Sequence, residues 1–171
     1  MGKGTEMKGT ARKIFKLFVI VTLAVAAFTV YFLLYSNANA EEETAYVFCV
    51  DYVNVRQFPS KKGEEIGRFE TGDVVHLDGK KRNGFLHCVD TGLESDGWIH
   101  AGFIVYDEPE HVNQKATVVS KGRLAARKYI GGKRTRWLKP LSTVTVYYWS
   151  EDWAITNCGY VQSKHLELEG E

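Results

Sequence analysis

The sequence predicts an all-β fold, two small barrels in tandem behind an N-terminal apolar helix. Three observations carry this. Between Val53 and Ile104, short apolar runs alternate with Gly, Asp, Asn and Pro, the punctuation of a small antiparallel barrel. After the N-terminal segment, no 3.6-residue apolar period persists long enough for an amphipathic helix. The order of landmarks in Val53–Ile104 also recurs from Gly122 onward. With 171 residues, 44% hydrophobic and 25% charged, the chain has room for one large domain or two small ones beyond its N-terminus.

The N-terminus sets the compartment. Lys3, Lys8, Arg12, Lys13 and Lys16 precede an uncharged run from Leu17 to Tyr35, and Ala38-Asn39-Ala40 follows before Glu41-Glu42-Glu43. A basic flank before an apolar run keeps the flank cytoplasmic and exports the remainder. Residues 1–40 therefore read as a signal peptide cut after Ala40, or as an uncleaved single-pass anchor with the C-terminal bulk outside. Cleavage is the favoured reading, because a small-x-small site stands directly after the run. Either way the working part is exported, and membrane contact is expected only if the segment is uncut.

The exported chain then reads strand by strand. Tyr46 to Val50 is rich in aromatic and β-branched residues, and Val53 and Val55 share a face under period-2 alternation. Pro59 to Gly63 is a polar turn, Ile66 to Phe69 a short strand, and Gly72-Asp73 leads into the alternating run Val74 to Leu77. Asn83-Gly84 marks a hairpin tip; Phe85 to Val89 returns, and Trp98-Ile99 closes the barrel. Trp98 is expected in the core. In the second copy, Leu124 to Arg127 answers Val53 to Arg56, and Ser142 to Tyr147 answers Gly72 to Leu77. Trp153 answers Phe85, and Gly159-Tyr160-Val161-Gln162 answers Gly97-Trp98-Ile99-His100, which assigns Tyr160 to the second core. The expected organisation is a barrel over 41–106, a polar linker over 107–116 containing Pro109 and Asn113, and a degenerate barrel over 117–171.

These landmarks resemble the bacterial SH3-like (SH3b) module. Val53-Asn54-Val55-Arg56, Pro59-Ser60, Gly72-Asp73, Gly84-Phe85 and Gly97-Trp98-Ile99 follow its pattern across Tyr46 to Val105. The second copy departs from it: Pro-Ser becomes Ile130-Gly131, and Trp98 becomes Tyr160. The resemblance implies SH3-like barrels that bind cell-wall glycopeptide or other extracellular ligands, often beside a peptidoglycan hydrolase.

Catalysis is not expected. No segment remains for a Cys–His hydrolase domain, and Cys88 and Cys158 lie inside the repeats. The cysteines lack CxxC spacing and the histidines lack i,i+3 or i,i+4 pairing, so no metal and no cofactor is expected. Export permits a Cys49–Cys88 disulfide, worth roughly 3–4 kcal/mol in the loop-entropy account. Three buried free thiols are the favoured reading.

Charge points to the ligand. From Gln114 to Ser150 every charged residue is basic, while acids crowd the leader and the first copy. Tyr129, Trp137 and Trp149 interleave with this basic stretch, and with Lys133, Arg134 and Arg136 they are the expected ligand-binding residues. Aromatic faces beside cations suit a sugar, a peptide or an anionic wall polymer. The expected partner is the bacterial cell wall, through peptidoglycan peptide or anionic polymer. The alternative is a membrane-anchored scaffold for an envelope protein, in which the acidic copy docks on the basic one. Nucleic acid is not expected of an exported chain whose remainder is slightly acidic.

Overall fold

Antiparallel pairing organises nearly everything after the N-terminal segment. The structure, a computed structural model, describes residues 21–31 and 42–170. The chain divides into two compact units, Met1–Ala40 and Glu41–Glu171. In the first, residues 21–31 are helical, with exposed apolar side chains such as Leu23, Phe28 and Tyr31. Among the described residues no helix is long and apolar enough to cross a membrane. The basic flank, both ends of the apolar run and Ala38-Asn39-Ala40 lie outside the described residues.

The second unit holds two seven-stranded sheets. The first comprises β1 (Glu43–Val47), β2 (Tyr52–Arg56), β3 (Glu65–Glu70) and β4 (Val74–Arg82), followed by β5 (Phe85–Val89) and β6 (Gly97–His100). A 3-10 turn at Ala101–Phe103 then leads to β7 (Ile104–Val105). The second comprises β8 (Glu110–Val118), β9 (Leu124–Arg127), β10 (Arg134–Leu138) and β11 (Thr143–Trp149), followed by β12 (Trp153–Thr156) and β13 (Gly159–Gln162). A 3-10 turn at Ser163–His165 leads to β14 (Leu166–Leu168). Strand orders are β3-β2-β6-β5-β4-β1-β7 and β10-β9-β13-β12-β11-β8-β14. Each strand of the second sheet lies seven places after its counterpart in the first, so the sequence repeat is a repeat of topology.

Alternation builds two cores. Val75 and Leu77 on β4 point inward with Val47, Val53 and Ile99. Val144 and Val146 on β11 do so with Val118, Leu124 and Val161. Asn83 and Gly84 turn the β4–β5 hairpin with both residues at positive φ, as an Asn-Gly pair allows.

Three expectations change, and one open alternative is decided. The linker expected over 107–116 is strand from Glu110, pairing with β11 and β14. Asn113 reads as a loop signal, yet it holds φ 45° where the β8–β11 register shifts, as at a β-bulge. Trp98 is not a core residue: Ile99 fills the core, while Trp98 lies half-buried against His87 with ring centroids 4.8 Å apart. Tyr160 is 2% exposed, but it sits in a third cluster with Phe48, Val105 and Ile155 rather than in the second core. That cluster joins the two copies. Finally, Cys49, Cys88 and Cys158 are free thiols.

The thiols differ in environment. Burial pushes Cys88 up to about 12 and also raises Cys49, whose sulfur accepts from the Thr71 hydroxyl at 3.7 Å. Cys158 is only half-buried. Iodoacetamide at mildly alkaline pH is therefore expected to label Cys158 in the native chain, and Cys49 and Cys88 only after unfolding. A Cys49–Cys88 peptide in a non-reducing mass-spectrometric map would overturn the free-thiol assignment.

Candidate functional site

The repeat places an arginine at the same point of each copy, and both do the same work. Arg56 Nη1 donates to the Gly63 carbonyl at 2.7 Å, and Arg127 Nη1 donates to the Gly132 carbonyl at 2.8 Å. Each guanidinium pins the loop after its strand, beside a cleft.

The first cleft holds about 270 Å³ and is lined by Tyr52, Val53, Asn54 and Arg56 of β2, by Phe85, His100 and Phe103, and by Lys61. The second copy completes it with Lys128 and Tyr129. Arg56 is neutralised here, since Glu65 Oε1 lies 3.1 Å from its guanidinium and also accepts from Asn54 Nδ2 at 2.5 Å. Asn54 Oδ1 is buried without a hydrogen-bond partner among the described residues. His100 Nδ1 accepts from the Gly102 amide at 3.1 Å, which leaves the proton of the neutral ring on Nε2. Burial, and then the neighbouring Lys61 charge, hold His100 below the usual imidazole range, so it is uncharged at neutral pH.

Tyr129 crosses from the second copy to reach this cleft. Its ring centroid lies 4.8 Å from that of His100 and 5.7 Å from that of Phe103, and Ile130 N–H donates to the Gly102 carbonyl at 3.0 Å. A Cβ on Gly102 or Gly132 would stand 2.5 or 2.7 Å from that ring, so both positions must lack a side chain for Tyr129 to fit.

The second cleft, about 420 Å³, occupies the equivalent place in the second copy. Leu124, Arg127, Trp153 and Gln162 stand where the first has Val53, Arg56, Phe85 and His100, and Arg123 and Trp137 complete the lining. No acid lines it, and Ala125 replaces Asn54. Trp137 is 47% exposed, with the Arg134 guanidinium 4.4 Å from its ring centroid. Arg136 Nη1 donates to Cys158 Sγ at 3.4 Å. All three residues belong to β10, an edge strand.

The ion pairs among the described residues are Arg56–Glu65, Arg68–Glu65, Lys80–Asp78 and His87–Asp78, all within the first copy. The basic stretch from Lys115 to Lys139 therefore has no carboxylate partner among the described residues. The copies do dock, but not through an ion pair among the described residues. Contact runs through the Phe48–Tyr160 cluster, the Ile130–Gly102 bond, and Asp107, whose carboxylate accepts from Ser150 Oγ at 2.8 Å and the Glu151 amide at 2.7 Å.

The expected site residues therefore separate. Arg134, Arg136 and Trp137 share one strand, and Lys133 precedes it, exposed. Tyr129 belongs to the first cleft, half-buried. Trp149 packs against the second core and lines a separate depression with Glu110 and Glu167, the wrong charge for an anionic ligand. His100, Phe103, Lys61 and Lys128 are cleft residues that the sequence reading missed. The repeat marks their equivalents, but only docking brings Lys128 to the first copy. Among the described residues no group of His, Cys, Asp and Glu is arranged to hold a metal.

No family model matches the sequence, and no curated protein matches it. Among solved structures, NlpC1 from Trichomonas vaginalis aligns at 16% identity and TM-score 0.31 over 74% of this chain and 45% of its own. NlpC2 from the same organism aligns at 16% identity and TM-score 0.32 over 75% and 48%. The chain spans less than half the length of either.

Proposed function

We propose that the chain is a non-catalytic, exported binding protein with tandem SH3-like (SH3b) copies, recognising an anionic component of a bacterial cell wall or envelope. The observation that carries this is the unneutralised basic face of the second copy, where Arg134 stacks on a half-exposed Trp137 beside an acid-free cleft. A cation held over an indole offers both charge and a flat apolar face, which suits a polymer of sugars and anionic groups. The matching arginine clamps and the shared strand order support descent of both copies from one module. Burial of Cys88, with its thiol pushed up to about 12, argues against its use as a nucleophile. Residues 1–40 would direct export, removed as a signal or kept as an anchor.

The test is co-sedimentation of the compact unit Glu41–Glu171 with purified cell wall. Pelleting is expected at low salt and should weaken as salt screens the face. Arg134→Glu with Arg136→Glu should lower affinity by about tenfold or more, the equivalent of ~1.4 kcal/mol. Failure to pellet at low salt sinks wall binding, and pelleting untouched by the double reversal removes this face from the interaction.

A further inference from the structure

The first cleft differs from the second in one respect that bears on its ligand: two copies build it. Lys61 enters from the loop after β2 and Lys128 from the loop after β9, and both are exposed. Neither has a carboxylate within ion-pair distance among the described residues, and no acid lines the cleft. Its one arginine is already committed to Glu65 and the Gly63 carbonyl. The free charge is thus two ammonium groups and not a guanidinium fork. Ammonium groups attract carboxylate and phosphate alike as point charges, so the apolar lining of the cleft decides what the anion is attached to. The rings of Phe85, Phe103 and Tyr129 line the same cleft, as does the neutral His100, whose Nε2–H is a donor. An anion entering here must therefore carry a small apolar body, and about 270 Å³ limits that body to one or two residues' bulk.

We infer that the cleft between the copies binds the terminal carboxylate of a short apolar peptide, with Lys61 and Lys128 holding the charge and the Phe103–Tyr129 wall holding the last side chain. The site is incomplete without the second copy, which gives the departing copy a second role as the wall of the first copy's cleft. A cell-wall peptide as the natural source rests on the reading proposed above; the chemistry of the cleft does not. The same carboxylate is also carried by sugar acids, which the test separates.

The full chain, kept in mild detergent, is titrated calorimetrically with N-acetyl-alanyl-alanine, its C-terminal amide, and N-acetylmuramic acid. The free acid is expected to bind, and the amide to bind about tenfold more weakly or not at all. Lys61→Glu and Lys128→Glu should each weaken the acid by about tenfold or more. Both side chains are exposed, so folding should be retained, with near-UV circular dichroism as the check. Equal binding of acid and amide, or a Lys128→Glu variant as tight as the parent, overturns the composite site. Tighter binding of the sugar acid overturns the peptide assignment. Peptide binding by a chain that fails to sediment with wall preserves the cleft and discards the wall reading. Wall binding without any peptide binding does the reverse.

Discussion

Tyr160→Ala is expected to cost about 3–5 kcal/mol, the range of large aromatic truncations in a packed interior. The ring is 2% exposed, meets Phe48 edge-on at 6.0 Å and Phe103 at 6.3 Å, and its hydroxyl donates to the Phe48 carbonyl at 3.1 Å. Removing it opens a cavity and leaves that carbonyl unsatisfied at once. The loss falls on docking more than on either barrel, because Tyr160 belongs to the cluster between the copies and the barrel cores are filled by other residues. Urea unfolding followed by far- and near-UV circular dichroism should therefore change from one transition to two, as the copies uncouple. Tyr160→Phe keeps the ring and should cost only about 0.5–1.5 kcal/mol, the net value of one hydrogen bond. A Tyr160→Ala variant within 1 kcal/mol of the parent, still unfolding in one step, would show that the copies are held together elsewhere.

The same tyrosine marks the boundary of what the sequence reveals. Strand existence and the duplication are local properties: alternation at Val74 to Leu77, the Asn83-Gly84 turn and the repeated landmarks are all legible, and the two sheets follow from them. Trp98 and Tyr160 occupy matching positions, but a strand presents alternate side chains to opposite faces. Ile99 and Val161 take the inward face, which leaves both rings outside their own barrels. Tyr160 becomes buried only because the first copy covers it. No pattern within one barrel records which outer face the other will cover. The linker expected over 107–116 differs from the structure for a related reason, since Pro109 and Asn113 are turn residues that here precede a strand and sit at an irregularity in one.

The candidate site divides along the same line. Unpaired charge is visible in composition, and Arg134, Arg136 and Trp137 do share a strand. Tyr129 is legible in the sequence as a binding candidate, but its surroundings come from a loop-to-turn contact across the docked copies. That contact depends on Gly102 and Gly132 lacking side chains. Trp149 looked equivalent to Trp137 by residue type alone; its strand position turns it against the second core.

The duplicated glycine ahead of each outward ring gives the other large expected effect. Gly97 and Gly159 begin β6 and β13, the strands that cross beside Arg56 and Arg127. A Cβ at Gly97 would stand 2.4 Å from Val55 Cγ1 and 2.8 Å from Ile66 Cδ1, both side-chain atoms, with the nearest backbone atom, the Arg56 carbonyl oxygen, at 3.3 Å. A Cβ at Gly159 would stand 2.5 Å from the Arg127 carbonyl oxygen, which is backbone and cannot rotate away, and Gly159 itself holds φ 112°. Gly159→Ala therefore combines steric overpacking with backbone strain, each about 1–3 kcal/mol, and is expected to cost roughly 2–6 kcal/mol. Gly97→Ala meets only the overpacking and should cost about 1–3 kcal/mol. Against a usual total of about 5–15 kcal/mol, the first takes the larger share of stability and the second the smaller. Urea midpoints of the two variants give the ranking. If Gly97→Ala proves the more damaging, the close approach of β13 to the Arg127 backbone is not what fixes that position, and the side-chain contacts inside the first copy are the tighter constraint.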